Sequence, residues 1–248
     1  MTILLNNRLG WHAMESNNSN SVRTFYDRFS QEQLRTGLNI RHRTILRNLK
    51  RLGLRRDSAV LEIGCGIGIL TGLLGAYCRK GTVVATDISP QCIELAQKCT
   101  RKMGHVRYHV TDMDDFNVAE KFDFILLPDV LEHIPLEKHA ALFATLQQHS
   151  HPDTVVAINI PDPYLLEWYH AYGPEKLQIV DQPLYTHDLL QSIYANDFYL
   201  ETLYRYALHT REPDYQWIVL KRRRALASIH PKSRWHLRRQ SLWARLFY

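Results

Sequence analysis

The sequence contains few cysteines and none of the patterns that cysteines form in metal or redox sites. Its four cysteines, at positions 65, 78, 92 and 99, include no CxxC pair, and no His/Cys cluster has zinc spacing. All four occupy predicted helical or strand positions beside apolar neighbours. We therefore expect reduced thiols buried in the core, no metal site and a cytoplasmic protein.

Long hydrophobic runs are also absent from the 248-residue chain. No stretch of 18 or more apolar residues occurs, which excludes a transmembrane helix. The N-terminal residues lack a basic region followed by a long apolar stretch, so we expect no signal peptide. The chain is 45% hydrophobic, which suffices for one sizeable core, and its length is typical of one α/β domain with additions.

Acidic residues are missing from the C-terminal end and scarce at the N-terminal end. Residues 221–248 hold nine Lys/Arg and no Asp/Glu, and residues 1–56 have a net charge of +8. Residues 57–220, in contrast, have a net charge of −11. Only the two basic ends could therefore attract nucleic acid, anionic lipid or an acidic substrate.

Short apolar runs alternate with helical segments through the centre of the chain. Runs with little polar alternation, separated by helices, indicate a parallel sheet that is covered on both faces. The helix after the second strand has Ser89 as its predicted cap and Pro90 as its first residue. The predicted strands are 59–63, 82–86, 106–110, 122–127, 154–160, 198–206 and 215–221. The predicted helices are 68–78, 90–102, 135–149 and 186–195.

The pattern divides the chain into a central domain with flanking parts. Residues 1–20 are predicted to be a flexible leader and residues 21–56 a helical cap that ends near Gly53. Residues 57–221 form the central domain, which includes an insertion rich in Pro and aromatic residues at 161–195. The basic, aromatic tail at 222–248 could be solvated, form a dimer contact, bind a membrane or protein, or clamp RNA. We expect a monomer or a homodimer.

A glycine-rich motif, VLEIGCGIG, coincides with the first predicted strand and opens the following helix. Gly64, Gly66 and Gly68 permit a tight turn and the close approach of a ligand. Glu62 suits a cationic ligand and disfavours a pyrophosphate. A nicotinamide or flavin fold prefers GxGxxG, whose last glycine would replace Ile69. The motif therefore favours S-adenosyl-L-methionine, which carries an amine but no phosphate.

Acids at the ends of the next two predicted strands complete an adenosine site. Asp87 ends the second strand, where a carboxylate can accept both hydroxyl groups of a ribose. Asp112 follows the third strand and would lie beside the adenine amine, with Met113 against the ring. Asp114 and Asp115 compete with Asp112 for this role.

The sequence resembles the class I S-adenosylmethionine-dependent methyltransferases, most densely in LEIGCGIG, ATDISP and LLPDVLEHIP. The last string is similar to the branch with quinone-biosynthesis and natural-product enzymes. The resemblance runs from about position 26 to 221. It implies an α/β, Rossmann-like fold with a seven-stranded, mostly parallel sheet whose final strand is antiparallel. The cofactor residues that it implies are Glu62, Gly64, Cys65, Gly66, Gly68, Asp87, Ile88, Asp112, Met113, Leu127 and Pro128, together with Tyr26, for which core packing is the alternative.

His133 is the candidate catalytic residue, because it follows the fourth strand on the cofactor side of the sheet. The ordinary pKa of imidazole suits proton transfer near neutrality. The alternative is a histidine bonded to backbone at a helix start, and His42 is a lower-ranked base, as are His187 and Tyr185. The resemblance implies that the insertion covers the acceptor site. The aromatic content of the insertion favours a sizeable, partly apolar acceptor. The candidate substrate-binding residues are Tyr164, Trp168, Tyr169, Tyr172, Tyr185 and His187.

The sequence thus predicts a methyltransferase that moves a methyl group from S-adenosyl-L-methionine to an oxygen, or a nitrogen, of a small-molecule or peptide-like acceptor. A biosynthetic role is expected. An RNA methyltransferase that uses the basic ends and a catalytically silent cofactor-binding scaffold are the alternatives. The acidic centre disfavours nucleic acid as a partner, and the intact glycine loop disfavours the scaffold.

Overall fold

The computed structural model describes residues 34–174, 177, 181–224, 231–233 and 235. The predicted leader, the candidate ligand Tyr26 and most of the predicted tail lie outside the described residues. Within the described ranges, no helix combines the length and apolarity needed to cross a membrane.

Seven strands form one sheet in the order β3-β2-β1-β4-β5-β7-β6. Neighbours among the first five strands pair in parallel, and β7 runs antiparallel to both β5 and β6. The predicted seven-stranded sheet with an antiparallel last strand is therefore confirmed. The strands are β1 Ala59–Ile63, β2 Thr82–Asp87, β3 Val106–Val110, β4 Phe122–Pro128, β5 Ser150–Pro161, β6 Phe198–Tyr206 and β7 Tyr215–Arg222.

Helices cover both faces of this sheet. The apolar side chains of α1 and α2 pack against one face, and those of α4 and α6 pack against the other. Because the central strands are buried on both faces, they consist of continuous apolar runs rather than an alternating pattern. The helices are α1 Ile40–Arg51, α2 Ile69–Tyr77, α3 Pro90–Thr100, α4 Leu136–Gln148, α5 Pro163–Tyr172 and α6 Thr186–Ala195.

The predicted helix signals act where they were expected. The Ser89 hydroxyl accepts a hydrogen bond from the backbone N–H of Cys92 at 3.0 Å, and Pro90 is the first residue of α3. Gly53 follows α1 with a φ of 99°, which favours glycine. Local capping chemistry therefore defines these helix ends.

The N-terminal helical segment contains a break within its described part. Leu38 is 44% exposed and precedes α1. Gly37 has a φ of 58°, and the Asn39 side chain accepts the backbone N–H of Arg41 at 3.0 Å. This cap starts a helix at Ile40, so residues 37–39 interrupt the predicted helical segment 21–56.

Two further expectations differ from the structure. The long connection after β5 contains α5, whose first turn is capped by Asp162 through the backbone N–H of Tyr164 at 3.0 Å. Cys99 is exposed, whereas Cys65, Cys78 and Cys92 are buried as expected. The prediction for Cys99 was wrong because it lies beside the buried face of α3, which consists of Cys92, Ile93, Ala96 and Thr100.

Candidate functional site

A cavity of about 410 Å³ lies at the carboxyl ends of β1, β2 and β4. Its lining combines the glycine loop after β1, the segments that follow β2, β3 and β4, and the first turn of α1. Open α/β sheets bind ligands at this edge, and ligand pockets typically measure about 300–1,000 Å³. Both its place and its volume therefore suit a cofactor with an acceptor.

The glycine loop is held in a conformation that requires glycine. Gly64 and Gly66 have φ values of 72° and 53°. A Cβ on Gly64 would lie 2.4 Å from Cγ2 of Val130, so no side chain fits there. The Asp87 carboxylate accepts the backbone N–H of Gly66 at 2.8 Å and that of Ser89 at 2.9 Å. Asp87 thus ties the loop to the end of β2.

Two predicted cofactor residues, Gly68 and Leu127, are absent from the lining of the cavity. A Cβ on Gly68 would lie 2.7 Å from Cβ of Ala96, so this glycine permits the close approach of α3. Leu127 is fully buried in the hydrophobic core. Both residues therefore have packing contacts, and their contact with a cofactor stays a prediction.

Glu62 is a buried acid that lines the cavity. One carboxyl oxygen accepts the Thr71 hydroxyl at 2.6 Å, and Oε1 has no hydrogen-bond partner among the described residues. Burial raises the pKa of Glu62 to about 8, and the hydrogen bond from Thr71 opposes this shift. A cationic group in the cavity would stabilise the ionised carboxylate. This unpartnered oxygen fits the amine of S-adenosylmethionine.

The remaining predicted cofactor residues within the described ranges line the cavity. Asp112 is exposed and accepts the backbone N–H of Asp114 at 3.2 Å. Asp114 shares the lining, whereas Asp115, which accepts the Thr111 hydroxyl, does not. Met113 is buried, with a φ of 77° that turns the chain at this point. The lining further includes Cys65, Ile88 and Pro128.

Arg41 is a lining residue that the sequence analysis missed. It lies in the first turn of α1 and forms an ion pair with Asp129, which follows β4 and has a φ of 54°. The Asn39 cap is the local signal that fixes this turn. The ion pair with Asp129 joins residues that are distant in sequence, and no local sequence pattern predicts it.

His42, a lower-ranked base candidate, has a structural partner. Its Nδ1 accepts the backbone N–H of Asn39 at 3.3 Å, which closes the helix cap. Burial, followed by the charge of Arg41, lowers the pKa of His42 to about 4. The imidazole is therefore neutral near pH 7 and is a weak base.

His133 lines the cavity from the short 3-10 helix Leu131–His133 that follows β4. Its Nδ1 lies 3.0 Å from Oδ1 of Asp181, and its Nε2 lies 3.7 Å from Oε1 of Glu132. Burial raises the pKa of Glu132 to about 7, and the charge of His133 opposes this shift. Asp181 is the second site residue that the sequence analysis missed.

The aromatic residues of the insertion lie apart from the cavity, and none of the six candidates belongs to its lining. Tyr164, Trp168 and Tyr172 follow each other at four-residue spacing along α5 and are 58%, 51% and 74% exposed. Tyr185 donates a hydrogen bond to Glu167 and stacks on His187. Tyr169 is half-buried and contacts Trp168. Contact of this group with an acceptor stays a prediction.

Comparison with curated proteins gives several partial matches. The chain is 33% identical over 126 residues to nodulation protein S of Bradyrhizobium diazoefficiens, which covers 49% of this chain and 59% of that protein. It is 38% identical over 84 residues to a ubiquinone biosynthesis O-methyltransferase of Actinobacillus pleuropneumoniae, covering 31% and 35% of the two chains. The matching segments thus span less than two thirds of these relatives.

Solved structures match over most of their length. A magnesium protoporphyrin IX methyltransferase from Synechocystis with bound SAH has a TM-score of 0.64 at 19% identity, covering 82% of this chain and 99% of that one. The N-methyltransferase NodS from Bradyrhizobium japonicum has a TM-score of 0.57 at 19% identity, covering 75% and 98%. The family model described as a methyltransferase domain matches residues 31–229. The chain therefore belongs to the class I S-adenosylmethionine-dependent methyltransferases.

Proposed function

We propose that the protein transfers a methyl group from S-adenosyl-L-methionine to an oxygen of a small-molecule acceptor, with His133 as the general base. One observation carries this proposal: the cavity that contains the glycine loop and Glu62 is also lined by His133. Cofactor and acceptor can therefore meet within one cavity. The family membership and the O-methyltransferases among the relatives support the same reaction type.

Each part of the cofactor has a matching group in the cavity. Glu62 would take the methionine amine, and the guanidinium of Arg41 would take its carboxylate. Asp87 would accept the ribose hydroxyls, while Asp112 and Met113 would contact the adenine. When bound, S-adenosylmethionine supplies a methyl group that is already activated by its sulfonium sulfur. The protein's main tasks are then to align the acceptor within about 3 Å of the methyl group and to exclude water.

The acceptor determines whether a base is required. As a hydroxyl oxygen forms its bond to the methyl carbon and the carbon–sulfur bond breaks, the hydroxyl proton must leave, and Nε2 of His133 would accept it. A carboxylate acceptor is already ionised and needs no base. The effect of removing His133 therefore separates these acceptor classes.

The test combines acceptor discovery with two histidine variants. Full-length protein, cofactor with an isotopically labelled methyl group and a cell extract are incubated, and methylated products are identified by mass spectrometry. His133→Ala should lower turnover by about 10²- to 10⁴-fold, the usual contribution of a positioned base, while cofactor affinity stays unchanged. His151→Ala is the control, because this histidine lies at the amino end of β5 and does not line the cavity.

Each alternative outcome of this test favours a different acceptor or function. Turnover of His133→Ala within threefold of wild type would contradict the base and favour a carboxylate acceptor. A methylated amine among the products would replace oxygen by nitrogen as the acceptor atom, as in the N-methyltransferase neighbour. Labelled RNA would support the RNA alternative, and cofactor binding without any product would support the scaffold.

A further inference from the structure

The imidazole of His133 lies between two carboxyl groups and is almost enclosed. Its side chain is 10% exposed, with Asp181 on the Nδ1 side at 3.0 Å and Glu132 on the Nε2 side at 3.7 Å. Asp181 is itself only 8% exposed. A carboxylate at hydrogen-bond distance from one ring nitrogen determines which nitrogen carries the proton.

The chain segment that carries Asp181 is anchored to the turn that carries His133. The backbone N–H of Gln182 donates to the carbonyl of Glu132 at 3.1 Å. The side-chain amide of Gln182 donates to the carbonyls of Leu131, at 3.4 Å, and of Ile134. These hydrogen bonds fix the residue next to Asp181 against the turn that carries His133, and they therefore hold Asp181 close to the imidazole.

We propose that Asp181 is a positioning residue that accepts the Nδ1–H of His133 and so keeps Nε2 unprotonated as the base. The inference rests on the proposed function of His133. When the proton of the acceptor hydroxyl moves to Nε2, the ring becomes a cation, and the carboxylate of Asp181 stabilises it without taking the proton. The ring also stays fixed in orientation during the transfer.

The second carboxyl group is compatible with this arrangement. The pKa of Glu132 is raised to about 7, chiefly by burial and also by the charge of Asp181, while the charges of His133 and of Arg41 in α1 oppose the shift. The raised pKa favours the neutral form of Glu132, and its 3.7 Å contact is longer than the 3.0 Å contact of Asp181, so Asp181 is the stronger acceptor for the ring proton. The charged groups that act on this pair thus come from the turn, from the segment before α6 and from α1.

The direct test is the protonation of the ring itself, which needs no acceptor. Nitrogen NMR of full-length protein with ¹⁵N-labelled histidine reports which nitrogen of His133 carries the proton, and His133→Ala assigns the signal. Wild type should be protonated at Nδ1 above the titration of the ring. Asp181→Asn should populate the Nε2–H form, because an amide can donate to Nδ1, and Asp181→Glu should restore the Nδ1–H form in part.

The kinetic test asks whether Asp181 acts through His133. Asp181→Asn should lower turnover by between about 10-fold and 10⁴-fold, and should change the pH profile of kcat, with cofactor affinity unchanged. The double variant with His133→Ala should be no slower than His133→Ala alone. Asp123→Asn is the matched control, because it removes the carboxylate of another Asp–His pair, whose 3.1 Å contact with His151 lies at the amino ends of β4 and β5, outside the cavity lining.

The outcomes separate this inference from the proposed base. If His133→Ala keeps its turnover, the base assignment fails, whatever the tautomer is. If His133→Ala loses turnover but Asp181→Asn keeps both the Nδ1–H form and activity within threefold, only the positioning role is overturned. Additive losses in the double variant would also overturn it. Should Asp181→Asn melt early, Asp181→Glu decides the question by its tautomer and its pH profile.

Discussion

Replacing Asp87 tests the cofactor site most directly, because its carboxylate has two measurable tasks. Without cofactor it accepts the N–H groups of Gly66 and Ser89 at 2.8 and 2.9 Å, which stabilises the glycine loop. With cofactor it is proposed to accept the ribose hydroxyls. A hydrogen bond to a charged group contributes about 1.5–3 kcal/mol. Asp87→Ala should therefore lower the melting temperature by about 3–12 °C for a chain of this size.

The same variant should weaken cofactor binding by a comparable free energy, which corresponds to about 10- to 150-fold in Kd. Calorimetry with S-adenosylhomocysteine and with its 2′-deoxy analogue separates ribose contact from loop geometry. Wild type should discriminate between the two ligands, and Asp87→Ala should not. Asp115→Ala is the control, since Asp115 is a nearby exposed acid outside the lining. Unchanged affinity, or undiminished discrimination in Asp87→Ala, would refute the ribose assignment.

Two further predictions concern the same loop. Because burial raises the pKa of Glu62 to about 8, its folded form holds a proton that the unfolded chain releases above its ordinary pKa of 4.5, so stability should fall as pH rises from about 4.5 to 8. Glu62→Gln should flatten this dependence, and calorimetry in buffers of different ionisation enthalpy should detect proton release on cofactor binding in wild type only. Gly64→Ala should destabilise the fold by roughly 2–4 kcal/mol from its positive φ and its clash with Val130. Adding Val130→Ala to Gly64→Ala should relieve the clash but not the backbone strain, so thermal melting should show only a partial recovery of stability. A full recovery would contradict the strain at Gly64.

Much of the fold could be predicted because its signals are local. Apolar runs located the first five strands, the last two strands were predicted as well, and the Ser89 cap with Pro90 located the start of α3. The glycine loop, Glu62 and Asp87 were found for the same reason, since a tight turn after a strand constrains neighbouring residues. Helix α5 was not predicted because its prolines favoured an irregular connection, and its aromatic residues at four-residue spacing are exposed, so that only Pro163 and Leu166 are buried.

Contacts between distant segments could not be derived from these patterns. Periodicity cannot predict the contact between Asp181 and His133 or the ion pair between Arg41 and Asp129. Each pair depends on how separate segments pack over the strand ends. The glycine spacing likewise could not distinguish Gly68, which allows α3 to approach, from Gly64, which faces Val130.

The sequence by itself determined the order of strands and helices, the glycine loop and the acids beside it. All of these follow from interactions between residues close together in the chain. The tertiary structure alone decided which charged side chains share the cavity and which aromatic residues stay outside it. Those relations depend on the packing of helices across the sheet, where a shift of a few ångströms makes or breaks a hydrogen bond.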